Sequence, residues 1–335
     1  MRHRRHPLIV ALLLLVTASS LPAEPPATSP VTAPVTSQPA SAPASQPSFT
    51  RTEDVVYGRS YGAALTLDLF KPTGKSNGAG VIFIVSGGWF SAHELIGTPF
   101  FSSFVDPLTR RGYTVFAVCH ACQPKFQIPE IIENINRSVR FVRHNAQQFG
   151  VDPTRLGVTG GSAGGHLSLM LGLAPLPPKP DSHDPVDKES SKVQAVAAFF
   201  PPTDFLNYGK PGENALGRGL LEPFAAAFDF HEVDAKTHVL VPITDEARRL
   251  EIGKQISPAY HVTPDDPPTL LLHGDADPIV PIQQSQLLLE KLQAANVPAE
   301  LSIKKGAGHG WPDTKPDMEK IAAWFDQYLS PNAAK

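Results

Sequence analysis

The sequence predicts an α/β fold, a mainly parallel central sheet with helices on both faces. Three observations carry this expectation. Short, wholly apolar runs such as Val81-Ile82-Phe83-Ile84-Val85 recur along the chain, as expected of strands covered on both sides. Longer segments with apolar residues three and four apart lie between them, the mark of helices burying one stripe. The two kinds alternate, which favours a parallel α/β sheet over a sandwich or a bundle.

The N-terminal region stands apart from that alternation. Met1 to His6 carries three arginines, Leu8 to Val16 is continuously apolar, and small and polar residues follow. Residues 1–23 therefore read as a signal peptide, too short in its apolar part to span a bilayer. Eight of the 26 residues from Pro22 to Pro47 are proline, so 24–49 reads as a Pro/Ala/Ser/Thr-rich linker lacking the apolar mass to fold. The catalytic region is expected over 50–332.

Within it, 57–70 alternates Leu65, Leu67 and Leu69 and reads as an edge hairpin strand. Buried strands follow at 81–85 and 113–118. The clearest helix is 130–148, where Ile132, Ile135, Val139, Val142 and Ala146 form one stripe. Pro129 suits its first turn, Glu130 and Glu133 its start, and Arg140, Arg143 and His144 its end. A short strand at 156–158 precedes a helix at 163–171. Further strands are expected at 193–200, 268–272 and 299–304, with helices at 281–295 and 318–329. Residues 175–192 read as a surface excursion. Residues 201–261 have weak periodicity and read as an insertion, either a cap over the site mouth or a peripheral helical addition.

The chain's formal charge is −3, and loss of Arg2, Arg4 and Arg5 with the leader takes it to about −6. No contiguous basic patch suggests nucleic acid, and no stable membrane insertion is expected after signal cleavage. Export implies a secreted or periplasmic protein. Cys119 and Cys122 form a C-x-x-C in which a local disulfide is possible. It lacks the helix-start placement of a redox pair and the clustered ligands of a zinc site.

Gly160-Gly161-Ser162-Ala163-Gly164 carries the chemistry. A short apolar run precedes it and a helical run follows, the setting in which a serine perches on a tight strand-to-helix turn with its hydroxyl exposed. A phosphate-binding turn is disfavoured, since the P-loop lysine and the full dinucleotide glycine spacing are missing. A serine nucleophile needs a base and an orienting carboxylate, following it in the order acid then histidine in this kind of sheet. His273-Gly274-Asp275-Ala276-Asp277-Pro278 and Gly306-Ala307-Gly308-His309-Gly310-Trp311 follow the last two strands. His309 is the expected base; His166, one turn after Ser162, is better placed for a scaffold role, and His273 for shaping its own loop. Either Asp275 or Asp277 can be the carboxylate on spacing alone, with a mild preference for Asp277. The Ala163 N–H should supply one oxyanion donor and the turn Val85-Ser86-Gly87-Gly88-Trp89 the other, through Gly88 or Trp89. Trp89 and Trp311 are candidate substrate contacts. No metal or organic cofactor is implied.

These motifs resemble the esterase/lipase branch of the α/β-hydrolases, most closely feruloyl- and acetyl-esterase-like enzymes and the related catalytic domain of prolyl oligopeptidases. The resemblance runs from about Tyr57 to Leu329. It implies that the second aspartate of the H-G-x-x-D segment, Asp277, is catalytic, and that the substrate is a small-molecule or carbohydrate ester. One departure stands out: those esterases commonly carry H-G-G-x-W, whereas Val85 and Ser86 stand here where the histidine and first glycine are expected. No propeller-sized domain precedes the catalytic region, which argues against the alternative of a small serine peptidase. A noncatalytic binding protein on the same scaffold is the remaining alternative.

Overall fold

The computed structural model describes residues 48–331, so the expected leader and all but the end of the expected linker lie outside the described residues. That end differs from expectation. Ser48 Oγ donates to Asp106 Oδ1 at 2.7 Å, and Phe49 already opens the first strand.

Strands β1 (Phe49–Ser60) and β2 (Ala63–Pro72) form an antiparallel hairpin. Tyr61 and Gly62 turn it with φ of +45° and +83°, so the single strand expected over 57–70 is parts of two. Then come β3 (Gly80–Val85), α1 (Pro99–Arg110), β4 (Thr114–Cys119), α2 (Ile128–His144), α3 (Ala146–Phe149), β5 (Leu156–Gly161), α4 (Ala163–Leu173) and β6 (Ala195–Phe199). A small hairpin, β7 (His231–Val233) with β8 (Leu240–Pro242), and α5 (Glu246–Gln255) belong to the 201–261 insertion. The chain ends through β9 (Thr269–Gly274), α6 (Gln283–Ala294), β10 (Ala299–Lys304) and α7 (Lys315–Leu329). The eight-stranded sheet runs β1-β2-β4-β3-β5-β6-β9-β10. Pairing is antiparallel at β1, β2 and β4 and parallel from β4 to β10.

The two-residue period of a strand divides the core. On β3, Val81, Phe83 and Val85 join Phe101 and Phe104 of α1 and Ile321 and Phe325 of α7. Ile82 and Ile84 point the other way, into a cluster with Ile135 and Val139 of α2, Leu167 and Leu171 of α4, and Leu288 of α6. Helices therefore cover both faces, as the unbroken apolar strands imply. Helix α4 is buried on every side, which fits an apolar run with no polar face.

Helix α1 was not anticipated. Its buried Phe101, Phe104, Val105 and Leu108 follow helical spacing, but Pro99 and Pro107 break the pattern. Pro99 sits in the first turn, where no N–H is needed; Pro107 costs one internal bond, which packing of the stripe offsets. No helix among the described residues is long and apolar enough to cross a membrane.

Candidate active site

Ser162 stands between the end of β5 and the start of α4 with φ +55° and ψ −121°. Side chains seldom take that backbone shape, and close packing around it explains the flanking glycines. A Cβ on Gly160 would lie 2.6 Å from the Gly164 carbonyl, and one on Gly164 would lie 2.6 Å from the Ile84 oxygen.

His309, in the loop after β10, reaches Ser162 from the far end of the sheet. Its Nε2 lies 2.8 Å from Ser162 Oγ, and its Nδ1 lies 2.7 Å from Asp277 Oδ2. A carboxylate can only accept, so Nδ1 carries the proton and Nε2 accepts from the serine hydroxyl. Asp277 is held in turn: Oδ1 accepts the N–H groups of Ile279 and Val280 at 2.9 and 3.0 Å. Burial pushes its pKa up, but hydrogen bonds from His273, His309 and the Val280 N–H outweigh this and hold the carboxyl well below the usual range.

The geometry separates the two aspartates. Asp275 Oδ1 accepts from the Gly306 N–H at 2.5 Å, bracing the loop that carries His309, while Asp277 alone meets the imidazole. His273 is buried; its Nε2–H donates to the Val280 oxygen at 2.8 Å, with Asp277 Oδ2 also 3.4 Å from that nitrogen, and its Nδ1 accepts from Ser285 Oγ at 2.7 Å. His166 is also committed elsewhere. Its Nδ1 accepts from the Trp89 indole at 3.1 Å, its Nε2 donates to the Ile256 oxygen at 2.7 Å, and burial pushes its pKa down to about 4.

Of the expected oxyanion donors, Ala163 N begins α4 and has no acceptor one turn back. Gly88 and Trp89 have positive φ, and among the described residues neither N–H donates a hydrogen bond. Trp89's ring does not line a substrate pocket as expected. It is 1% exposed, because its indole bonds His166 and Phe205 and Phe228 pack around it at 5.7 and 5.1 Å. Phe224 lies against the Gly88 Cα and beside Trp89, so the 201–261 insertion packs on the turn expected to supply the second oxyanion donor. Trp311 remains half-buried; its indole donates to Asp317 Oδ2 at 2.7 Å. Beside it, Phe200 packs on the His309 imidazole with ring centroids 4.4 Å apart. Phe200 was missed as a site residue because it reads in sequence only as the end of an apolar strand.

Asp54, Asp68 and His93 offer donor atoms within 4.8 Å of one another. The Arg51 guanidinium donates to buried Asp68 through Nε at 2.8 Å, so that carboxylate already has a cation. Both cysteines are free thiols, and burial pushes Cys119 up to about 12, disfavouring a reactive thiolate.

The sheet order and the hydrogen-bonded Ser162–His309–Asp277 line define the α/β-hydrolase class. More particularly, the chain belongs to the BD-FAE family, whose profile matches residues 67–292. It is 27% identical to esterase LipC of Mycobacterium tuberculosis over 253 residues, covering 74% of this chain and 58% of that protein. It is 28% identical over 250 residues to the isoprenylcysteine α-carbonyl methylesterase ICME of Arabidopsis thaliana, covering 72% and 53%. The chain thus spans little more than half the length of these curated relatives. A solved truncated carbohydrate esterase from gut microbiota is 26% identical with a TM-score of 0.68, covering 85% of this chain and 98% of that one.

Proposed function

We propose that the protein hydrolyses carboxylic esters of small acyl groups through a covalent acyl-enzyme on Ser162. The observation that carries this reading is the continuous line from Asp277 Oδ2 through His309 to Ser162 Oγ, at 2.7 and 2.8 Å. Ser162 Oγ attacks the ester carbonyl as His309 Nε2 takes its proton, and buried, ionised Asp277 stabilises the imidazolium. The N–H of Ala163 and those of the Gly88–Trp89 turn receive the negative charge of the tetrahedral oxygen. His309 then protonates the departing alcohol. Water, deprotonated by the same imidazole, releases the acid.

For the substrate we favour acetyl or feruloyl esters of polysaccharide, supported by the likeness to a carbohydrate esterase and by the aromatic pair Phe200 and Trp311 beside His309. A leader over 1–23 would deliver the protein to a secreted or periplasmic location, which N-terminal sequencing of exported protein tests. Hydrolysis of acetyl, butyryl, feruloyl and matched peptide substrates tests the chemistry. Ester turnover should fall at least about 10⁴-fold in Ser162→Ala. Retention of most turnover by that variant, or preferential cleavage of the amides, overturns the proposal.

A further inference from the structure

The oxyanion turn holds a conformation that its own sequence does not favour. Gly87 and Phe90 exchange both backbone hydrogen bonds, at 2.9 and 3.0 Å, closing a two-residue loop over Gly88 and Trp89. Both loop residues have positive φ, +57° and +59°, the mark of a type I′ turn, which favours Asn, Asp or Gly at its centres. A Gly-Trp pair suits type II′ instead, where only the first residue takes positive φ. The two types differ by a flip of the central peptide, which exchanges the Gly88 carbonyl for the Trp89 N–H. Something outside the turn must hold the less favoured orientation.

Gln123, in the loop after β4, bonds that peptide through its side chain and the next one through its backbone. Its Nε2 donates to the Gly88 oxygen at 3.4 Å and its backbone N–H to the Trp89 oxygen at 3.3 Å. In a trans peptide the C=O and N–H point in opposite directions. Drawing the Gly88 oxygen toward Gln123 therefore turns the Trp89 N–H to the other side of the turn. Ser91 Oγ donates to the Val85 oxygen at 2.6 Å and accepts from the His120 N–H at 3.2 Å, tying the rest of the loop to the same segment. Neither bond touches the central peptide. With valine at 85, no imidazole is available there to brace the loop; the brace comes from a different strand end.

We propose that Gln123 is a positioning residue for the oxyanion site, a reading that rests on the hydrolytic function above. It keeps the Gly88 carbonyl turned away from the reacting oxygen and the Trp89 N–H available to it. A flipped peptide would present a carbonyl oxygen to the developing negative charge.

The test compares wild type, Gln123→Glu and Gln123→Met on one activated acetyl ester. The glutamate keeps the shape but repels the Gly88 oxygen, so kcat should fall roughly tenfold to a hundredfold with KM within about twofold. The methionine removes the donor without adding charge and should cost about threefold to tenfold in kcat. A protonated glutamate regains an O–H donor, so the ratio of Gln123→Glu to wild-type kcat should rise as pH falls toward the carboxylate range. A residue that only fills space leaves that ratio flat. Unchanged kcat in both correctly folded variants, or a flat ratio, overturns the brace while leaving the hydrolytic reading intact. If wild type hydrolyses no ester and a fluorophosphonate does not label Ser162, both fall together.

Discussion

Gly274 is the last residue of β9, set between buried His273 and exposed Asp275, and the structure leaves no room there for a methyl group. A Cβ would lie 2.6 Å from the Gly308 oxygen and nearer still to the Ala307 oxygen, against 3.4–4 Å for ordinary contact. Both are main-chain atoms, so no rotamer change relieves the clash; the 306–309 loop must retreat by about 1 Å. That loop carries His309, whose Nε2 sits 2.8 Å from Ser162 Oγ. A retreat of this size carries the pair beyond the roughly 2.6–3.2 Å over which a base takes a proton. Misplacement of about 1 Å costs on the order of 10² in rate, so Gly274→Ala should lower kcat about a hundredfold. Overpacking should cost about 1–3 kcal/mol of stability, which leaves a folded protein. Initial rates on an activated acetyl ester, set beside thermal unfolding of the same preparation, read both quantities. A folded variant with kcat within about threefold of wild type would refute the argument, because it would mean that the His309 loop absorbs the methyl without moving the base.

Two further outcomes follow from the same geometry. In Asp277→Asn, the Ile279 and Val280 N–H groups keep the amide oxygen at the Oδ1 position. The amide nitrogen then faces His309 Nδ1, forcing the proton onto Nε2 and blocking acceptance from Ser162; kcat should fall about 10⁴-fold, and a loss under tenfold would sink this reading. His120 and His166 are both buried, and burial pushes each pKa from 6.5 down to about 4. The unfolded chain takes up protons between those values that the folded chain does not, so stability is full above about pH 6.5 and falls as pH drops toward 4, by about 3 kcal/mol per histidine. Urea midpoints at pH 7.5 and 5 should show the loss, and His120→Asn, which preserves a donor toward the Ala121 oxygen, should shrink it. A wild-type midpoint that does not change with pH contradicts it.

Much of this fold is legible because its determinants are local. Five consecutive apolar residues in β3 need cover on both faces, and helices supply it. Ser162, Asp277 and His309 each follow a strand, so a one-dimensional order maps onto positions along one sheet edge. Features that depend on contacts between distant segments are not legible in the same way. Spacing gives Asp277 only a mild preference over Asp275; contact separates them, one meeting the Gly306 N–H and the other the imidazole. Helix α1 has its apolar stripe in plain view, yet two prolines speak locally against a helix that tertiary packing nonetheless holds.

The Trp89 ring and Gln123 show what motif reading leaves out. Motif reading offers the Trp89 N–H as an oxyanion donor and its ring as a substrate contact, and it says nothing of Gln123, two positions before Lys125. At Trp89 the backbone has positive φ, and the ring turns inward to His166 and Phe228, which leaves the peptide groups as the candidate donors. Once the peptide is the functional group, its orientation must be held from the carbonyl side. A side chain that bonds that carbonyl then acts on the reaction without approaching the substrate. Gln123 is the side chain that does so here, and nothing in its neighbouring sequence announces it, because its partner lies 35 residues away on the far side of β4.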